Sequence, residues 1–236
     1  MLRASRICSY LVASFASTIL LGAFCLQGVE GADLSVVVNP STGSDSSVCN
    51  MSLPCQSIAY AIHSRNANLM FLSAGYFNES NVVINSSSPF VSIIGSNGGS
   101  SSSVFDCNRR SSGPAFYIVN TAVSISRITF QNCANFNVSS GIGGVGGAVS
   151  ASGSSVTVSD CKFFNNTAQI GGAIGVTSSS LVVSSCVFEN NTATCPNAAP
   201  TKIACSAWGG AIGTEEPPSV LIMGSRFNSN AESCVE

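Results

Sequence analysis

The chain has 236 residues, of which only 8% are charged, and a formal net charge of −2. That balance excludes a nucleic-acid surface, which needs a basic patch, and also a chain held unfolded by its own charge. Abundant Ser, Gly and Asn, interleaved with short β-branched runs, point instead to strands and tight turns, in one domain or one repeat array.

Residues 1–32 read as a secretory signal peptide. Arg3 and Arg6 supply the positive end, Leu11 to Leu26 the apolar run, and small residues follow around Gly28 to Ala32. The run carries Ser14, Ser17 and Thr18 and is short for a stable membrane span. The mature chain is therefore expected to be secreted, or held at a cell surface. Of the 11 cysteines, Cys8 and Cys25 lie in this leader, leaving an odd number for an oxidising compartment. N-glycosylation sequons occur at Asn50, Asn78, Asn85, Asn137, Asn165 and Asn190.

Residues 33–68 are expected to form an N-terminal cap. LSVVV (34–38) looks like a strand, residues 39–54 like a polar loop, and CQSIAYAIH (55–63) sets Ile58, Ala61 and Ile62 on one face of a short helix. Cys49 and Cys55 are close enough in sequence to staple loop to helix. His63, the only histidine, sits at the helix end as a surface or capping residue.

From residue 69 to 236, short strands alternate with turn clusters. The stretch Gly146 to Ala193 writes one unit twice: Gly146 to Gly171 is 25 residues, and so is Phe163 to Phe188. A third copy carries Gly209, Gly210, Phe227 and Asn230. Within a unit, Val156 and Val158 alternate with polar residues as in a half-buried strand. The phase breaks at Ser159–Asp160, and Cys161 and Phe163 then resume the inward positions. Gly171–Gly172 make a further corner. Three short strands and three corners per 25 residues describe one coil of a parallel stack. Stacking sets Phe163 on Phe188 on Phe227 and Asn166 on Asn191 on Asn230, with Gly146–Gly147, Gly171–Gly172 and Gly209–Gly210 at one corner. An all-β fold follows, a parallel β-helix with a short capping helix. Asparagine amides would pass hydrogen bonds from coil to coil.

These motifs, GGA[VI] at Gly146–Val149, Gly171–Ile174 and Gly209–Ile212 with F-x-x-N at Phe163–Asn166, Phe188–Asn191 and Phe227–Asn230, resemble the repeats of the polymorphic outer-membrane proteins of chlamydiae. The resemblance covers about residues 115–234. It implies a pectin-lyase-like right-handed β-helix acting in adhesion. FQNC at 130–133 departs from it, with Cys133 at the asparagine position, and the family's outer-membrane barrel has no counterpart in this sequence.

The stacked Cys161 and Cys186 are read either as a disulfide between coils or, by preference, as two reduced inward thiols. Phe130 to Phe163 spans 33 residues and Phe188 to Phe227 spans 39, so two insertions leave the same corner one coil apart. Cys195 and Cys205 are expected to close the longer one. Asn135, Asn137, Lys202 and Trp208 in and beside these loops are candidate binding residues, with neutral loops as the plainer reading. Candidate acids Asp106, Asp160, Glu189, Glu215 and Glu216 and candidate cations Arg109, Arg110 and Arg127 do not meet at one corner of adjacent coils. No catalytic residue, metal site or cofactor is therefore expected. The expected function is a secreted or cell-surface module (outer-membrane if bacterial) with a binding, adhesive or structural role. Its partner would be a protein or carbohydrate, and membrane contact would come only through a missing C-terminal part. The alternative is a pectate-lyase-like or polygalacturonase-like enzyme. Ending at Glu236, soon after Asn230, the array is expected to be truncated.

Overall fold

The computed structural model describes residues 34–85, 90–98, 101–108, 113–136, 144–194, 209–216 and 218–233. The leader, Asn137, Cys195, Lys202, Cys205 and Trp208 lie outside them. Within them the protein is nearly all β, and its strands fall into four parallel sheets that the chain visits in turn. Sheet I runs through Ser35–Val38, Leu69–Leu72, Phe90–Ile94, Ala122–Ser126, Ser155–Ser159, Ser180–Ser184 and Ser219–Met223. Sheet II holds Gly75–Phe77, Ser101–Asp106, Ile128–Gln131, Lys162–Phe164, Val187–Glu189 and Arg226–Asn228, with Asn97–Gly98 antiparallel to the second of these. Sheet III is Ala134–Asn135, Thr167–Ala168, Thr192–Thr194 and Ala231–Ser233. Sheet IV is Val82–Asn85, Phe116–Val119, Val149–Ser152, Ile174–Thr177 and Ile212–Glu215. The earliest circuits pass from sheet I to II to IV; the strand of sheet III enters only at Ala134.

The register follows the 25-residue period. Val158 pairs with Val183, Phe163 with Phe188, and Val149 with Ile174. Because side chains alternate across a strand, the same positions face inward in every circuit. Phe77, Phe105, Phe130, Phe163, Phe188 and Phe227 form one row, with consecutive ring centroids 4.8–5.4 Å apart and the last three rings parallel within 3°. The first five are fully buried, whereas Phe227 is 44% exposed because no described circuit lies beyond it. Ile222, Phe227 and Asn230 there line an open cavity of about 410 Å³.

Corners need a left-handed residue, and the sequence supplies Asn, Asp, Ser or Gly to fill most of them. Asn132, Asn165 and Asn190 all have φ of 55°, and Asp160 and Ser185 have 52° and 54°. The break read at Ser159–Asp160 is thus a single residue in the αL region, which short polar side chains tolerate. Gly171 also takes positive φ (65°), and a Cβ there would meet the carbonyl oxygen of Ile174. Gly172 has an ordinary φ but packs flat against the backbone of Gly210 and Thr192, so here it is close approach that requires glycine.

The helix Ile58–His63 buries Ile58, Ala61 and Ile62 and packs beside the first strands of sheets I and IV. Its start is held by three side chains. Ser57 Oγ accepts the Tyr60 N–H (3.1 Å), Asp45 Oδ1 accepts the N–H groups of Gln56 and Ser57 (2.9 Å each), and Glu79 accepts those of Ile58 and Ala59 (2.8 and 2.9 Å). These are the donors a helix leaves unpaired. Cys49 and Cys55 form a disulfide at the entrance to this helix, with Cα atoms 4.5 Å apart.

Candidate binding face

The corners settle what the polar ladder residues do. Asn166 Nδ2 donates to Asn191 Oδ1 (2.9 Å) and to the carbonyl of Phe130 (3.2 Å). Asn191 repeats this toward Asn230 Oδ1 (2.9 Å) and Phe163 O (3.0 Å). Each Oδ1 also takes the backbone N–H of the preceding circuit's residue, from Cys133 to Asn166, Asn166 to Asn191 and Asn191 to Asn230. Asn166 and Asn191 are therefore fully engaged inside the fold and present nothing to a ligand, while Asn230 is only half-buried.

Cys133 ends this row and is committed elsewhere, in a disulfide with Cys107 (Cα atoms 4.7 Å apart). Sequence reasoning missed that bond. The available signal was a cysteine replacing the ladder asparagine with a second cysteine about one circuit upstream. Cys161 and Cys186 are buried and not bonded to each other. The Cys161 thiol faces the carbonyl of Ile125 (3.8 Å), and the Cys186 thiol donates to the carbonyls of Ser184 (3.2 Å) and Val158 (3.6 Å). Burial, with the neighbouring Cys186 thiol, pushes the Cys161 thiol well above the ordinary thiol range.

At the insertion corner, Asn135 departs from its reading as a loop contact. It is buried, and its Nδ2 donates to the carbonyls of Val145 (2.9 Å) and Gly146 (3.3 Å), tying the insertion's return to sheet III. Between the two insertions the chain turns at Gln169–Ile170, with Ile170 bridged to Val145.

The carboxylates are spread out. Burial raises the Glu79 carboxyl above its ordinary range against two amide hydrogen bonds that lower it, and the Asp45 charge adds to the rise; both groups are taken up in capping the helix. Burial likewise raises Glu215, whose partner is the Thr177 hydroxyl. Asp106 sits below its usual range: burial pulls it up, but Gln131 Nε2 (2.7 Å), Asn132 Nδ2 (3.1 Å) and the Asn108 amide outweigh that pull. Asp160 and Ser185 match at one corner, and Phe164 pairs with Glu189, so acid does not stack on acid along these rungs. Among the described residues no three His, Cys, Asp or Glu converge as a metal site.

Sheet I differs from the other three. None of its seven strands contains a charged residue, whereas Asp106, Lys162, Glu189 and Arg226 lie in sheet II, Glu232 in sheet III and Glu215 in sheet IV. Many of its outward positions carry hydroxyls, Ser92, Ser124, Ser126, Ser155, Thr157, Ser159, Ser180 and Ser184, spaced about 4.8 Å from strand to strand along each row, with apolar Val182, Leu221 and Met223 continuing two of the rows. Ser155 and Ser180 bring their hydroxyls to 3.0 Å. On the same sheet Phe71 and Phe90 are 43% and 49% exposed. The sequence pattern did not single out this face, because the repeat motif marks rungs that point inward.

No family model matches the chain, and neither the curated proteins nor the solved structures contain a match to it. No described helix is long and apolar enough to cross a membrane.

Proposed function

We propose that residues 33–233 belong to a right-handed parallel β-helix whose role is binding or adhesion at a secreted or cell-surface location, without catalysis. The four-sheet circuit and in-register rungs support the fold. A right-handed sense is what parallel crossover connections adopt almost without exception. The likeness of GGA[VI] and F-x-x-N to the repeats of chlamydial surface proteins supports the adhesive role.

The observation that carries the binding reading is the uncharged face of sheet I, with its hydroxyl rows and the exposed Phe71 and Phe90. Such a face matches a neutral partner. A polyuronate, the substrate class of the enzymatic alternative, would bring negative charge to a sheet whose strands carry no Lys or Arg. Exposed aromatics on a rigid sheet are an economical anchor for a sugar face or an apolar protein patch.

The test is retention of the purified protein on chitin, on cellulose and on intact eukaryotic cells, against a variant with Ser124→Glu and Thr157→Glu. The wild type is expected to be retained on one of them and the variant to be lost from it with its circular dichroism unchanged. Equal retention of both, or reducing ends released from polygalacturonate, would overturn the reading.

A further inference from the structure

We infer that Asn190 is an N-glycan acceptor and that Asn165, the matching residue one circuit earlier, stays unmodified. The inference rests on the secretory reading above.

Asn165-Asn166-Thr167 and Asn190-Asn191-Thr192 are the same sequon written at the same corner. Both leading asparagines hold φ of 55°, and Thr167 pairs with Thr192 in sheet III. In each triplet the middle asparagine is the buried ladder residue, so only the first can carry a sugar. The two first positions are not equivalent. Asn165 is half-buried and donates its Nδ2 to Asn132 Oδ1 at 2.7 Å. Asn132 in turn donates to Asp106. Asn165 is thus the third member of a hydrogen-bonded row, and a glycan on its nitrogen would have to displace that row. Asn190 is exposed at the next rung. The rungs are about 4.8 Å apart. Two N-acetylglucosamine rings with their N-acetyl arms would then have to root within one strand spacing, which leaves room for one.

The transfer balances without a redox partner. The Asn190 Nδ2 forms a bond to the anomeric carbon of a lipid-diphosphate-linked oligosaccharide, the donor of the secretory pathway. The carbon–oxygen bond to the diphosphate breaks, the lipid diphosphate leaves with its electron pair, and one amide proton goes to a base. The product keeps one N–H on the nitrogen.

Trypsin reads the result directly, because residues 163–202 contain no Lys or Arg before Lys202 and hold both sequons on one peptide. The full chain, secreted from eukaryotic cells, is treated with peptide-N-glycosidase in heavy-oxygen water, so that each modified asparagine becomes a labelled aspartate. One label per peptide, at Asn190, is expected. Thr192→Ala removes that sequon while leaving the left-handed Asn190 in place, and should drop the label to none; Thr167→Ala should change nothing. A label at Asn165, two labels on one peptide, or an unlabelled peptide in a protein glycosylated at the exposed Asn50, Asn78 or Asn85 would overturn the inference alone. A chain that carries no glycan at any of these positions would take the secretory reading down with it.

Discussion

Asn191 Oδ1 accepts two hydrogen bonds from Asn166, one from its backbone N–H at 3.1 Å and one from its side-chain Nδ2 at 2.9 Å. The same device recurs at the other corners with smaller side chains: Ser154 N–H donates to Ser179 Oγ (3.0 Å) and Cys186 N–H to Ser225 Oγ (3.1 Å). At these left-handed corners the following amide leaves the sheet ladder and the next circuit supplies a side-chain acceptor for it, whereas at the glycine corners Gly147 and Gly172 donate to backbone carbonyls. The principle that buried amides find partners therefore explains why these corner residues are Asn or Ser.

Replacing Asn191 with Ala leaves the Asn166 amide donors and the Phe163 carbonyl without partners in the interior. Each buried orphan costs about 1–3 kcal/mol, so Asn191→Ala should destabilise by roughly 3 kcal/mol or more in urea unfolding. Asn230→Ala, at the half-covered last circuit, should cost less.

Phe188→Ala removes a fully buried member of the phenylalanine row and should cost about 3–5 kcal/mol. Phe227→Ala, at 44% exposure, should cost well under half of that. Equal losses, measured by the same unfolding assay, would contradict the stacked row.

Cys186→Ser should be nearly neutral, within about 1 kcal/mol, because Ser225 already serves as the acceptor at the same corner one circuit later. Cys186→Val keeps the volume but removes the thiol's hydrogen bond to the Ser184 carbonyl (3.2 Å), and should cost about 1 kcal/mol. Titration with a thiol reagent should find Cys161 and Cys186 unreactive until the protein is unfolded.

Glu79 sets a pH dependence. Its carboxyl is raised in the folded protein, chiefly by burial, so the folded state holds the proton more tightly than the unfolded chain. The associated stability is fully present below the ordinary glutamate range and is lost as pH rises through the raised value of the folded state. Glu79→Gln should flatten that part of the stability profile when melting is followed across mildly acidic pH.

Much of the interior was legible because the repeat is written in it: a 25-residue period with Phe and Asn on fixed rungs leaves one register. The bend at Asp160 was legible too, since breaking the alternation has a local cause. Four features escaped. Glu79 caps a helix that starts 21 residues earlier, and nothing local announces it. Cys107 and Cys133 bridge circuits that precede the clear repeats. Asn135, beside an insertion, resembled a loop residue, although its amide is spent on holding the corner. The uncharged face of sheet I becomes visible only once strands distant in sequence are laid side by side.

The most direct test of the stacked-circuit account is cross-linking across sheet I. Ser155 and Ser180 face outward with hydroxyls 3.0 Å apart, whereas Ser155 and Ser184 lie in different rows of the same two strands. Mild oxidation should link the pair Ser155→Cys and Ser180→Cys rapidly and the pair Ser155→Cys and Ser184→Cys little or not at all. Equal linking of both pairs, or none in the first, would contradict the 25-residue parallel register on which the fold rests.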